Sequence, residues 1–235
     1  MNYCIILSGG VGSRMKMGNT PKQYLMVDSC PVIGYSLRTF EDNDDTDGIL
    51  IVSDPAWQSF LNEWIGLLKI TKFIGFAPSG ESRQNSIWNG LEALKKRARD
   101  SDAVIIHDAA RPCVKQEMIS ACLDAIPEHD GAMPVVSVKD TCYLSKDGKK
   151  IDGEIPRNEI FAGQSPESFI FGKYYAANKA KGPEHLGSVH GSTEIAYEAG
   201  MDICLLEGSE SNLKITTKED LELFESISLK RYRKD

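Results

Sequence analysis

The chain has 235 residues, 41% of them hydrophobic and 26% charged, and a formal net charge of −7. That size and balance describe one globular domain able to bury a sizeable core, and they exclude a disordered chain. The acidic balance argues against a nucleic-acid polymer as partner, which needs a broad basic field, but leaves room for a small nucleotide held by a few local cations.

The opening Met1-Asn2-Tyr3-Cys4-Ile5-Ile6-Leu7 lacks a basic stretch ahead of its apolar run, so it is expected to be a strand and not a signal peptide. Tyr3–Ser8 is continuously apolar and ends at Gly9-Gly10, the pattern of a buried parallel strand entering a turn. Pro31–Phe40 reads as a helix, Gly48–Ser53 as a strand, Pro55–Leu68 as a helix and Lys72–Ala77 as a strand. A longer helix is predicted over Ser82–Arg99, where Ile87, Leu91, Leu94 and Ala98 recur at spacings of three and four. Ala103–Ile106 is again strand-like, Lys115–Ile126 helical and Ala132–Val138 strand-like. Residues 139–156 break the rhythm: two extended runs flank Asp147-Gly148, a hairpin signal. They are either an ordinary surface hairpin or a β-arm for dimerisation. Thr217 with Asp220 resembles a capping box opening a last helix.

Alternating strands and helices predict an α/β fold, with a mostly parallel sheet covered on both faces and ligands beyond the carboxyl ends of the strands. No run approaches the ~18–20 apolar residues of a membrane span. The six cysteines, Cys4, Cys30, Cys113, Cys122, Cys142 and Cys204, form no Cys-x-x-Cys pair or Cys/His cluster. Free thiols in a reducing cytoplasm are expected, rather than disulfides or zinc.

Five segments carry chemistry. In Leu7-Ser8-Gly9-Gly10-Val11-Gly12-Ser13-Arg14-Met15 and Pro21-Lys22-Gln23, glycines after a buried strand let the backbone approach a ligand, and Arg14 and Lys22 supply cations. Neither a Walker A loop nor a Rossmann fingerprint is present. Gly80-Glu81-Ser82-Arg83-Gln84-Asn85-Ser86 gathers polar groups at a predicted helix start, suited to an anion or a base edge, although Ser82 also fits a plain N-cap. His107-Asp108-Ala109-Ala110-Arg111-Pro112 closes a strand with an aspartate able to hold Mg²⁺ on a polyphosphate. His107 by itself reads as a structural histidine, and no serine-hydrolase elbow exists. Ile155-Pro156-Arg157-Asn158 and Asn212-Leu213-Lys214-Ile215-Thr216 add two more cations, each unremarkable alone.

In that order and at those spacings, these segments resemble the cytidylyltransferases of the 2-C-methyl-D-erythritol 4-phosphate and ribitol 5-phosphate type, from Met1 to about Phe224. The resemblance implies a Rossmann-like three-layer sandwich of the nucleotide-diphospho-sugar transferase type, spanning the chain as one domain. It also implies CMP transfer from CTP to a sugar-alcohol phosphate, Mg²⁺ as cofactor and a homodimer through the 139–156 arm. On that basis Arg14, Lys22, Arg157 and Lys214 are catalytic. Leu7, Ser8, Gly9, Gly10 and Gly80, Glu81, Ser82, Arg83, Gln84, Asn85, Ser86 hold CTP. Thr141, Arg157 and Lys214 position the acceptor phosphate, with Thr141 and Arg157 delivered by the partner's arm. Asp108 sits by the metal and Arg111 supports its loop.

The length of the Arg14–Lys22 loop and the run Phe161-Ala162-Gly163-Gln164-Ser165-Pro166-Glu167-Ser168-Phe169 favour the ribitol branch. Pro156, Glu167 and His190-Gly191-Ser192-Thr193-Glu194 depart from the methylerythritol pattern around the acceptor. The methylerythritol enzyme and a nucleotide-binding protein without turnover are the alternatives.

Overall fold

Strands that are apolar at every position, such as Tyr3–Leu7 and Gly48–Val52, must be covered on both faces, and the arrangement of the chain follows from that. The computed structural model describes residues 1–10 and 20–232. The elements are β1 (Asn2–Leu7), a short hairpin of β2 (Met26–Val27) and β3 (Cys30–Pro31), α1 (Val32–Glu41), β4 (Gly48–Ser53), α2 (Gln58–Leu67), β5 (Phe73–Pro78), α3 (Arg83–Leu94), β6 (Ala103–Asp108), α4 (Gln116–Asp124) and β7 (Gly131–Ser137). After these come β8 (Cys142–Leu144) with β9 (Gly153–Ile155), then β10 (Phe161–Gly163), β11 (Glu167–Ile170), α5 (Phe171–Lys181), α6 (Ser192–Glu198), β12 (Ile203–Glu207) and α7 (Lys218–Tyr232).

The main sheet runs β5-β4-β1-β6-β11-β7-β10, with β12 paired to β7. Only β11 and β10 run against the others, so the sheet is mostly parallel, as the sequence pattern predicts. Side chains alternate between two cores. Cys4, Ile6, Ile49, Ile51 and Ile105 pack under α1, α2 and α4. Tyr3, Ile5, Leu50, Val52, Val104 and Ile106 pack against α3, α5 and α6. Because β4 lies on one side of β1 and β6 on the other, the strand order reverses at β1, and a crevice opens beyond the carboxyl ends of β1 and β6.

Several boundaries differ from the sequence reading. The helix predicted to Arg99 stops at Leu94, and turns at Lys95–Arg97 still bring Ala98 against the core. Strand β6 continues two residues past Ile106, which carries Asp108 to its very end. In the 142–155 hairpin the return strand starts only at Gly153. Asp147 accepts the amides of Lys149 and Lys150 (2.8 and 3.1 Å), and Asp152 accepts that of Lys146 (2.6 Å), so residues 145–152 close as a wide loop and not a tight turn. Tyr143, Leu144 and Ile151 of this hairpin are exposed. The capping box is present: Thr217 Oγ1 accepts the Asp220 amide, and the Asp220 carboxylate accepts that of Thr217. All six cysteines are free, and no helix among the described residues is long and apolar enough to cross a membrane.

Gly90 sets how closely α3 lies on the sheet. A Cβ there would stand 2.9 Å from Ile5 Cγ2 and 3.2 Å from Val52 Cγ2. Gly90→Val should therefore lower stability by about 1–3 kcal/mol, the usual cost of overpacking. Urea denaturation measures this, and an unchanged midpoint would contradict the packing account.

Candidate active site

The crevice holds two adjoining cavities of about 340 Å³ each. The first is walled by Leu7, Gly9, Gly10, Lys22 and Gln23 on one side and by Gly80, Glu81, Ser82, Arg83 and Ser86 on the other, with Asp108, Ala110 and Lys214 at its base. The second shares Arg83, Asp108 and Lys214 and continues to Arg111, Met133, Gly163, Ser165, Glu167 and the 190–193 segment.

Internal hydrogen bonds shape the β1 loop. The Gln23 amide donates to the carbonyls of Ser8 (2.6 Å) and Gly10 (2.9 Å), and the Tyr24 hydroxyl donates to the Ser8 carbonyl (2.9 Å). Ser8 itself is buried and its hydroxyl donates to Tyr24, so it does not line the cavity. A Cβ on Gly9 would stand 2.2 Å from Ser79 Cβ, so the two walls meet there only because position 9 has no side chain. Arg14 lies outside the described residues.

The opposite wall is equally self-supported. Ser82 is the N-cap of α3, its hydroxyl accepting the Asn85 amide at 3.1 Å, which is the plain capping role the sequence left open. Ser86 Oγ accepts the Gly80 amide at 2.9 Å. Gln84 turns away from the cavity: it is buried and donates to Asn178 Oδ1 (2.6 Å) and the Tyr174 hydroxyl (3.2 Å), tying α3 to α5. Asn85 is also outside the lining, its amide donating to the Pro183 carbonyl at 3.0 Å. The seven-residue segment expected to hold nucleotide thus divides, with Gln84 and Asn85 serving the fold.

At the shared wall, Asp108 Oδ1 accepts from Arg83 Nε at 3.0 Å and Asp108 Oδ2 from Lys214 Nζ at 2.7 Å. Burial alone would raise the Asp108 pKa, but Arg83 and Lys214 outweigh it and hold the carboxyl well below the usual carboxylate range. Burial likewise disfavours the Arg83 charge, and Asp108 and Glu167 more than restore it. Arg83 Nη1 donates to Ser192 Oγ at 2.8 Å, and Nη2 lies 3.5 Å from Glu167 Oε1. Arg111 donates from Nη1 to the Asn212 carbonyl at 2.6 Å, while its buried Nε has no hydrogen-bond partner among the described residues. The 212–215 segment is stitched to the same loop by Ile215 N to Ala110 O (2.8 Å) and Asn212 Nδ2 to Ser165 O (2.8 Å), and this places Lys214.

Thr141 and Arg157 are exposed at the foot of the hairpin, and neither lines these two cavities. The Arg157 guanidinium donates to the Lys139 carbonyl at 3.1 Å. His107 is fully buried between Ser36 and Ser165, and burial pushes its pKa down to about 3. It is a structural histidine, as the sequence suggested, and cannot act as a base in the crevice. Glu167 and Ser192 went unassigned by sequence reasoning; the only signal was that both sit where the chain departs from the family pattern.

The chain matches the 2-C-methyl-D-erythritol 4-phosphate cytidylyltransferase family over residues 3–230. It is 30% identical to the ribitol-5-phosphate cytidylyltransferase of Streptococcus agalactiae serotype V, over 97% of this chain and 95% of that protein. Identity to the 2-C-methyl-D-erythritol 4-phosphate cytidylyltransferase of Geobacillus thermodenitrificans is 34%, over 98% and 99%. Among solved structures, the Francisella tularensis 2-C-methyl-D-erythritol 4-phosphate cytidylyltransferase superposes with a TM-score of 0.79 at 26% identity, covering 95% of this chain and 97% of that one. The Anaerococcus prevotii 4-diphosphocytidyl-2C-methyl-D-erythritol synthase gives 0.81 at 22% identity, over 98% and 96%, a likeness of fold.

His107 makes acid stability a test of the site's core. Its folded pKa of about 3 lies below the ordinary ~6.5, so between those values the unfolded chain binds a proton that the native chain does not. His107 therefore removes stability as pH falls from about 6.5 towards about 3. Glu167, raised by burial, acts in the opposite sense, its contribution being lost as pH rises through its folded pKa. Comparing His107→Gln with the parent isolates the histidine. Urea unfolding between about pH 6.5 and about pH 4.5 should show a shallower loss of stability in the variant; parallel curves would refute the assignment.

Proposed function

The chain belongs to the 2-C-methyl-D-erythritol 4-phosphate cytidylyltransferase family, a family of CTP-dependent nucleotidyltransferases acting on sugar-alcohol phosphates, and on that premise we propose that its acceptor is D-ribitol 5-phosphate, giving CDP-ribitol and pyrophosphate. The observation that carries the reading is the pair of cavities divided by the Arg83–Asp108–Lys214 wall. One suits a nucleotide and the other a small phosphorylated acceptor, with the reacting groups meeting between them. A second cavity lined by Arg111, Ser165, Glu167, Ser192 and Thr193 favours a chain of hydroxyls over a methyl-branched one.

CTP lies in the first cavity, its phosphates against Gly9, Gly10 and Lys22 and its base towards the wall from Gly80 to Ser86. The acceptor's phosphate lies by Lys214 and Arg111. One of its oxygens attacks the α-phosphorus in line, the bond to the bridging β-oxygen breaks, and pyrophosphate leaves. The attacking oxygen is already anionic, so no general base is needed, and the burial of His107 is no obstacle. Catalysis rests on positioning and on cations meeting the charge that builds at the α-phosphate, the role of Lys22 and of Arg14. Thr141 and Arg157 reach an acceptor site from a partner's hairpin. The exposed Tyr143, Leu144 and Ile151 give that arm apolar surface for a second copy.

Mg²⁺ fits this donor set as a companion of the triphosphate. Among the described residues no cluster of three or more acidic, His or Cys ligands exists, so the protein offers isolated carboxylates, Asp108 at the base of the first cavity among them, and not a cage. Magnesium favours that arrangement, being held by one or two carboxylates plus substrate phosphates and water. Asp108 stays ionised, and each of its oxygens keeps acceptor capacity beyond its cation. Bound there, the ion would neutralise phosphate charge.

The test is pyrophosphate release from CTP and Mg²⁺ with D-ribitol 5-phosphate or 2-C-methyl-D-erythritol 4-phosphate. The ribitol ester is expected to support the greater kcat/KM, and Lys22→Ala to lower kcat by about 10²–10³-fold with an unchanged circular dichroism spectrum. Preference for the methylerythritol ester would move the chain to the isoprenoid branch, and CTP binding without release would make it a binding protein.

A further inference from the structure

The second cavity contains a carboxylate that phosphate chemistry does not require. Glu167, at the start of β11, is buried, yet it lines this cavity. Its Oε2 accepts hydroxyl protons from Ser192 and from Thr193, the latter at 3.1 Å. Its Oε1 receives no hydrogen bond among the described residues, and its only partner there is Arg83 Nη2 at 3.5 Å, too long for a good bond. A carboxylate oxygen with spare acceptor capacity at a cavity wall can take a hydrogen bond from a ligand placed there.

That donor cannot be the acceptor's phosphate, which the carboxylate repels and which the cations Lys214 and Arg111 of the same cavity attract. The two signs orient the molecule: phosphate towards the cations, carbon chain towards Glu167. Building on the reading proposed above, we propose that Glu167 determines acceptor specificity by accepting a hydrogen bond from a hydroxyl on the acceptor's carbon chain. An acceptor with an apolar group at that point displaces water from Oε1 without replacing its hydrogen bond, and is discriminated against for that reason.

A purely structural role is distinguishable. Glu167 touches Arg83, and Arg83 also lines the nucleotide cavity, so a variant that only loosened Arg83 would disturb CTP and acceptor together. Steady-state kinetics of the full chain with D-ribitol 5-phosphate or 2-C-methyl-D-erythritol 4-phosphate, whichever the parent turns over, separates the two. Glu167→Gln should raise the acceptor KM by about 10–100-fold, the worth of a charge-assisted hydrogen bond, and move the CTP KM by less than about threefold. Equal rises in both KM values, or no rise in the acceptor KM, would overturn the proposal while leaving the proposed function standing. A parent that releases no pyrophosphate with either acceptor overturns both. Should the Gln variant fail to fold, Glu167→Asp keeps the charge beside Arg83 but withdraws the oxygen, and the same split is expected.

Discussion

Everything in the crevice depends on the buried Asp108 carboxylate and the two cations that share it. Arg83 comes from 25 residues upstream and Lys214 from 106 downstream, so one carboxylate joins the start of α3, the end of β6 and the loop before α7. Such a group is expensive to bury unless both oxygens are met, and removing either cation would leave charge stranded. Its value here is geometric. Apolar packing (Ile87 with Ile106, Ile215 with Cys113) and the Ile215–Ala110 backbone bond bring the three segments together, and the ion pairs then fix the charged groups at the partition between the two cavities.

The charge count at this wall refines how an acidic protein comes to hold polyphosphate. Arg14, Lys22, Arg111, Arg157 and Lys214 look from the sequence like five cations gathered on one site. In the folded chain Lys214 is neutralised by Asp108, and Arg83, which sequence reasoning placed with the base-reading loop, is neutralised by Asp108 and Glu167 together. The resting wall is close to neutral: two cations, two carboxylates. Its charges are therefore met within the protein when no substrate is bound.

Much of this was legible in the sequence, and what was missed has a common cause. Buried strands with both faces apolar and the Thr217–Asp220 capping box are local patterns, and each appears where the residues announce it. The sides of a helix are harder. Gln84 and Asn85 stand beside Arg83 in sequence, but the 100° turn per residue swings Gln84 into the core against Tyr174 and leaves only Arg83 and Ser86 facing the crevice. Glu167 was visible only as an irregular residue in a familiar motif. Its role depends on Ser192, Thr193 and Arg83, which lie between 25 and 84 positions away, and no local pattern encodes such a meeting.

The way these parts are supported separates chemistry from selection. The nucleotide cavity is braced by bonds within its own walls, Gln23 on the β1 loop and Ser82 and Ser86 on the α3 start, so its shape does not depend on what fills the neighbouring space. The acceptor cavity is braced instead by the 164–167 and 208–215 segments, through Gln164 to Ser209 and Asn212 to Ser165. Apart from Lys214, which lines both cavities, those residues of this second set that line a cavity border only the second one. On the function proposed above, that separation gives a physical reason why one fold could serve both the ribitol and the methylerythritol esters: a reaction at the shared wall would leave only the far wall to change with the alcohol.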